Sequence, residues 1–408
     1  MNSLAGSLKR TTWNFFSGSQ LTFGPGAIGT LTGVIHREHV KRVMVVSDQA
    51  LHDTGLVSQA EVAIKNADSA MEVFCDRDPS TASVVELLAV AKTFQPDMLV
   101  AVGGGSVMDF AKTAAALFGS DADLKSVCGF DRAPERSVKL ICIPTTSGTG
   151  SEVTHSAILK SNADGEKVVI RSQRIRPDVA IIDPQLTLSC PLEVTAESGM
   201  VALTHAIEAY LVRNFFAFPE DFEHGLPFEG SHPLGDLYAE KAMRLIGRNI
   251  TRVFNDPDDL AARSGMALGA TLAGAAFSSC GGSLVEALQF PLGAAYKCRH
   301  GVGCAIVLPT VMEYWSGIRQ ARLAQIAAFL GVEKAEEMQP SEAAQAASAW
   351  VRKTRQQLGL PENLAAVGGK QGDVSRLAAS VCSQQHLVDL SPVTPAAQDL
   401  QAILQASL

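Results

Sequence analysis

Nowhere in the 408 residues is there an uninterrupted apolar run of about 18 residues, so no transmembrane helix is expected. Basic charge is short as well. There are 34 Lys and Arg against 42 Asp and Glu, a formal net charge of −8, which argues against nucleic acid as a partner. None of the eight cysteines pairs as CxxC, and Cys142 sits between Ile141 and Ile143. Buried or free thiols in a reducing cytoplasm are the expectation. Met1 to Phe16 lacks the apolar core of a signal peptide, and the glycine turn at Gly103–Asp109 does not follow the GxGxxG dinucleotide fingerprint. What is present is a chain 47% hydrophobic and 19% charged with mean hydropathy +0.14, the profile of a globular protein. Its length suits two large domains.

The first half alternates strand-like and helix-like patterns. Val43–Val46, Met98–Val102 and Val138–Ile143 are short apolar runs, and Ala82–Phe94 carries apolar residues at helical spacing. Continuous apolar strands alternating with helices predict a parallel sheet covered on both faces. Ligands of such sheets bind outside the carboxyl ends of the strands. Asp48, Gly103-Gly104-Gly105-Ser106 and the Thr145–Thr149 loop all fall there. After about Pro191 the pattern turns helical, with helices predicted over Thr195–Val212, Asp236–Ile250, Ala261–Ser278 and Ser316–Leu330. The expected domains are 1–192, an α/β dinucleotide-binding domain, and 193–408, an all-α domain with an insertion at about 214–232.

Gly103 to Asp109 reads GGGSVMD between a strand and a helix. Glycines permit close backbone approach, and a helix N-terminus offers free N–H groups to an anion. The Thr145–Ser151 loop adds hydroxyls and two glycines at a second strand end, a donor-rich surface for pyrophosphate and ribose. Together they predict a nucleotide site. A carboxylate at Asp48 would accept ribose hydroxyls and repel a 2′-phosphate, favouring NAD(H) over NADP(H); the same residue also suits a helix N-cap.

The motifs GGGSVMDFAK, IPTTSGTGSEVT, IIDPQLTLS, THAIEAY and HGVGCAIVLP, in that order, resemble the iron-containing (group III) alcohol dehydrogenases from about Phe23 to the C-terminus. The resemblance implies a dehydroquinate synthase-like architecture, an N-terminal nucleotide-binding domain and a C-terminal helical domain with a cleft between. It implies NAD(P)-dependent interconversion of alcohols and carbonyl compounds, and a homodimer is expected. By position it implies cofactor contacts at Asp48, Asp78, Gly104, Gly105, Ser106, Asp109, Thr145, Thr146, Thr149 and Lys167.

The family holds a divalent metal with one Asp and three His, and here the pattern breaks. The Asp position, one helical turn before His205, is Val201. The next His corresponds to Glu286, the catalytic His to Phe290, and the last ligand is kept as His300. Three readings stand side by side. His205, Glu286 and His300 form a two-His, one-carboxylate site for Fe²⁺ or Zn²⁺ and serve catalysis there. Alternatively the site is metal-free, as in the maleylacetate reductases, and a protonated His, Lys or Arg stabilises the alkoxide. In the third, the chain is a nucleotide-binding relative that does not catalyse.

Lys297 and Arg299 precede His300, either as a solvated pair or as the grip on an anionic carbonyl substrate. Five phenylalanines, Phe215, Phe216, Phe218, Phe222 and Phe228, lie in the insertion, which must bury them against the site mouth or a subunit interface. His224 and His232 read either as isolated loop histidines or as replacements for the lost imidazole.

Overall fold

A computed structural model describes residues 10–17, 19–65, 67–75, 79–162, 167–218 and 226–408. Asp78, Phe222 and His224 lie outside the described residues. The strands are β1 (Gln20–Phe23), β2 (Arg42–Asp48), β3 (Ser69–Cys75), β4 (Met98–Gly103), β5 (Gly129–Phe130), β6 (Lys139–Pro144), β7 (Ser156–Lys160), β8 (Lys167–Arg171) and β9 (Val179–Ile182). Six of them form a sheet in the order β1-β9-β6-β4-β2-β3, every neighbouring pair parallel.

The continuous apolar runs have a plain cause. Along β2 and β4 successive side chains alternate between two buried layers: Val43, Val45, Met98, Val100 and Val102 face one, Met44, Val46, Leu99 and Ala101 the other. With helices on both faces neither side of a strand is polar. The predicted helix at Ala82–Phe94 spans Thr81–Phe94, with the Ser80 side chain accepting from Ser83 N–H in a reciprocal cap. A smaller sheet, ordered β5-β8-β7, is added by the antiparallel β7–β8 hairpin.

Among the described residues no strand follows β9, and the rest is helical around one large core. The long helices include Leu192–Leu211, Pro233–Asn255, Leu260–Cys280, Leu284–Tyr296, His300–Tyr314 and Ser316–Leu330. The Ala- and Gly-rich Leu260–Cys280 helix packs as closely as its composition suggests. A Cβ at Gly269 would lie 2.9 Å from Ile246, and one at Gly274 would lie 2.7 Å from the Cα of Gly150. Gly150, at φ +64°, ends the Thr-rich loop, so this backbone-to-backbone contact joins the two halves. The same seam is bonded by Thr271 Oγ1 donating to Glu152 at 2.8 Å, and by His155 Nδ1 with Ser278 Oγ at 2.7 Å.

Candidate functional site

Register places the cofactor-side residues. Gly103 pairs with Pro144 across β4 and β6, so the triple glycine and the Thr-rich loop leave the sheet side by side. Thr145 N–H donates to Gly103 O at 3.1 Å. The helix Gly105–Leu117 then starts with its N-terminus facing this edge, Gly104 as its N-cap and Ser106 exposed. A side chain at Gly105 would strike Thr149 at 2.8 Å, and one at Gly104 would meet Thr146 at 3.6 Å. Glycine is needed at position 105 because the second loop lies against the first. Asp48, at the end of β2, accepts from Leu51 N–H at 2.9 Å and caps the next short helix.

Two implied cofactor residues stand apart from this edge. Asp109 accepts from Ser151 Oγ (2.6 Å) and Ile158 N–H (3.0 Å), and buried Lys112 lies 3.7 Å away. Its carboxylate fastens the Thr-rich loop and β7 to the helix. Burial raises the Asp109 carboxyl and lowers the Lys112 ammonium; each charge opposes the shift of the other. Lys167, at the start of β8, has its Nζ 3.5 Å from Gln289 Oε1 and 4.7 Å from the centre of the Phe290 ring. That places it beside the helical half rather than beside Gly104.

His205, Glu286 and His300 come from three helices, Leu192–Leu211, Leu284–Tyr296 and His300–Tyr314, and converge. One ligand atom from each lies within 4.8 Å of the others. Glu286 Oε1 is 3.5 Å from His205 Nε2 and 3.2 Å from His300 Nε2. The His205 and Glu286 side chains are 8% and 6% exposed and that of His300 31%, so the cluster opens to solvent on the His300 side. Burial alone would raise the Glu286 carboxyl. The His300 charge and the hydrogen bonds to both imidazoles outweigh it, holding the group well below the ordinary carboxylate range. Two imidazoles and one anionic oxygen at this spacing form a donor set suited to Zn²⁺ or Fe²⁺. Buried His205 Nδ1 has no hydrogen-bond partner. Val201 is buried one turn before His205 and adds no ligand.

Four neighbours escaped the sequence reading. Glu208 is fully buried and accepts from the backbone N–H groups of Ser283 (2.9 Å), Val285 (2.8 Å) and Glu286 (3.4 Å). It thereby caps the helix that carries Glu286 and sets where that carboxylate sits. Burial and the Glu286 charge raise its carboxyl to about 8, against the backbone donors. Phe277 stacks on His205 with ring centres 4.1 Å apart. Cys304 Sγ lies 3.8 Å from Glu286 Oε1 and 3.7 Å from His300 Nε2. Arg171, on β8, faces Phe228 and His386. Helical spacing was the available signal for two of them, since Glu208 is three residues from His205 and Cys304 four from His300.

The fold also settles the surroundings of three features near the site. Arg299 does not present a free cation to substrate: it pairs with Glu193 and, at 2.7 Å, with Glu197, along a groove of about 640 Å³ that Lys297 also lines. His232 does not replace the lost imidazole. It caps the Pro233–Asn255 helix by accepting from Gly235 N–H, contacts Ser279 at 2.8 Å and stacks on Trp13. Burial and the Arg10 charge lower it to about 4. Phe228 is buried 6.1 Å from Phe277 between ring centres, so this end of the insertion backs the wall behind His205.

Comparison with known proteins identifies the family. Residues 18–184 match the model of the iron-containing alcohol dehydrogenase family, and residues 222–408 that of the Fe-containing alcohol dehydrogenase family C-terminal domain. Long-chain-alcohol dehydrogenase 1 of Geobacillus thermodenitrificans is 34% identical over 392 residues, 94% of each chain. NAD-dependent methanol dehydrogenase of Bacillus methanolicus is 30% identical over 401 residues, 97% of this chain and 100% of that one. The crystal structure of a 1,3-propanediol oxidoreductase superposes with a TM-score of 0.90 at 29% identity, covering 97% and 100%. With a parallel α/β domain, a helical domain and both family models matched, the chain belongs to the iron-containing alcohol dehydrogenase family and is a hydride-transferring oxidoreductase of alcohols and aldehydes.

Proposed function

We propose that this enzyme transfers hydride between NAD(H), in preference to NADP(H), and a small carbonyl or alcohol at a site built on His205, Glu286 and His300. The observation that carries the reading is the convergence of those three side chains within 4.8 Å on the helical side of the cleft. Gly104, Gly105, Ser106 and the Gly105–Leu117 helix N-terminus bind the pyrophosphate, with Thr145, Thr146 and Thr149 alongside. Asp48 faces the adenosine ribose and discriminates against a 2′-phosphate. Lys167 lies at the nicotinamide and substrate end, and Asp109 positions the Thr-rich loop. Asp78, implied by resemblance alone, stays in the proposed cofactor set.

His205, Glu286 and His300 hold Fe²⁺ or Zn²⁺. When bound, the ion supplies positive charge for the carbonyl oxygen during hydride transfer. Phe277 and Phe290 wall the site and exclude water from the hydride path. A second reading rests on the Glu286 carboxylate lying against both imidazoles. Without metal, the Glu286 carboxylate orients both imidazoles, and His300 serves as the proton donor to the carbonyl oxygen.

The test pairs metal analysis of protein purified without chelator with NADH oxidation across aldehydes and keto acids. Stoichiometric metal and activity lost on stripping are expected. Full activity in stripped protein selects the metal-free reading, and no oxidation of NADH by any substrate overturns both. The proposed domain boundary is near residue 192, where the Leu192–Leu211 helix begins, with the insertion at about 214–232. A cytoplasmic homodimer completes the proposal.

A further inference from the structure

We propose that Arg171, assisted by Lys167, recognises an anionic head on the carbonyl substrate, a carboxylate, sulfonate or phosphonate. The proposal rests on the hydride-transfer reading of the His205–Glu286–His300 site and specifies what that site accepts.

Strand β8 sorts its side chains by period two. Val168 and Ile170 pack into the core of the α/β half. Lys167 and Arg171 therefore share the opposite face, and both meet the helical half there. Lys167 Nζ lies over Phe290 and against Gln289, which follow Glu286 by four and three residues on one helix. The Arg171 guanidinium lies over Phe228 at 5.2 Å, and its Nη2 is 3.2 Å from His386 Nε2.

Arg171, like Arg263 and Arg355, holds no carboxylate among the described residues and has a buried nitrogen without a partner, but of these three only Arg171 lies where the Glu286 charge acts on it. Arg136, Arg174, Arg299, Arg322 and Arg352 each hold a carboxylate. Among the described residues no carboxylate is within ion-pair distance of Arg171, and its Nε is buried without a partner. Burial lowers the guanidinium to about 10, with the Glu286 charge opposing it, so it remains a cation at neutral pH. Burial and the Arg171 charge also lower His386 to about 4. That imidazole is therefore neutral, accepts from Arg171 and adds no charge of its own. A positive group held near the reacting centre with an unused donor is costly unless a ligand completes it. A planar guanidinium matches a two-oxygen anion in bidentate fashion.

The substrate is then bifunctional, its carbonyl at the His205–Glu286–His300 end and its anionic head on Arg171. Hydride passes from NADH to the carbonyl carbon, and a proton from solvent completes the alcohol. The head group takes no part in the bond changes.

Steady-state reduction of succinic semialdehyde and of butanal, which share a four-carbon chain, measures the preference; sulfoacetaldehyde and phosphonoacetaldehyde distinguish the head groups. Arg171→Gln is expected to cut the ratio of kcat/KM for the anionic over the neutral aldehyde by roughly 10- to 100-fold, chiefly through KM. Arg171→Lys restores part of it, and Arg299→Gln leaves the ratio unmoved. A second readout needs no turnover: calorimetric titration of succinate, and of phosphonoacetate, into the enzyme–NAD⁺ complex. Binding by the native protein and its loss in folded Arg171→Gln supports the proposal. Equal binding by both proteins, or none by the native one, overturns it. Reduction of butanal without any anionic preference overturns it too while leaving the hydride-transfer reading intact. Anion binding through Arg171 without any carbonyl reduction would instead place the failure in that reading.

Discussion

Replacing Glu286 by Gln keeps the side chain's shape and removes its charge, and the site geometry sets the consequence. Glu286 Oε1 stands 3.5 Å from His205 Nε2 and 3.2 Å from His300 Nε2, the one carboxylate in the cluster. Val201, one turn before His205, supplies no substitute. Zinc binding to a four-ligand protein site is worth about 10–16 kcal/mol, an even share of about 2.5–4 kcal/mol per ligand. Loss of the only anionic ligand should therefore weaken a divalent ion by at least about 100-fold in Kd. Competition against a chromophoric chelator gives the affinity, metal content after dialysis gives the stoichiometry, and the melting temperature shows that the variant is folded. A folded Glu286→Gln protein that holds metal with native affinity would refute the placement of the ion at this cluster.

Glu208→Gln tests the buried cap beneath Glu286. Its carboxyl is raised from 4.5 to about 8, so the folded state holds that proton more tightly than the unfolded chain. Stability from this group is full below about pH 4.5 and falls as pH rises towards about 8; melting curves across that window should lose this downward slope in the variant, and an unchanged slope would refute it. Gly274→Val forces a side chain into the backbone of Gly150, where even a Cβ would lie 2.7 Å from Cα. We expect a loss of about 1–3 kcal/mol in denaturant unfolding, and a neutral result would mean that the two halves are not tightly docked. Asp48→Ser removes the carboxylate proposed to face the ribose, so the kcat/KM ratio for NADH over NADPH should fall by about tenfold or more. Its melting temperature monitors the cap to Leu51, and an unchanged ratio sinks the assignment of cofactor choice to Asp48.

The α/β half was legible in the sequence because its signals are local. A strand buried on both faces reads as an uninterrupted apolar run, and β2, β4 and β6 do so at Val43–Val46, Met98–Val102 and Leu140–Ile143. The donor-rich loops lie at strand ends by the logic of a parallel sheet. His205, Glu286 and His300 were found by matching motifs to a family, and that match said nothing of their separation.

Other features depend on groups distant in sequence. Lys297 and Arg299 read as a free cationic pair because Glu193 and Glu197 lie about a hundred residues earlier and meet Arg299 only in the fold. His232 read as an isolated loop histidine until Trp13 and Ser279 closed around it. Arg171 gave no signal at the end of β8, where a charge flanking the apolar Val168–Ile170 reads as a solvated strand end. The fold packs Arg171 against Phe228 and His386 instead. The sequence by itself determined the parallel sheet, the glycine- and threonine-rich loops at its strand ends and the identity of the three side chains proposed to hold the metal, since local pattern, residue type and motif likeness suffice for these. Only the tertiary structure decided which charges are compensated and which remain available to a ligand. Compensation is a matter of distance and burial, and the partners come from different elements.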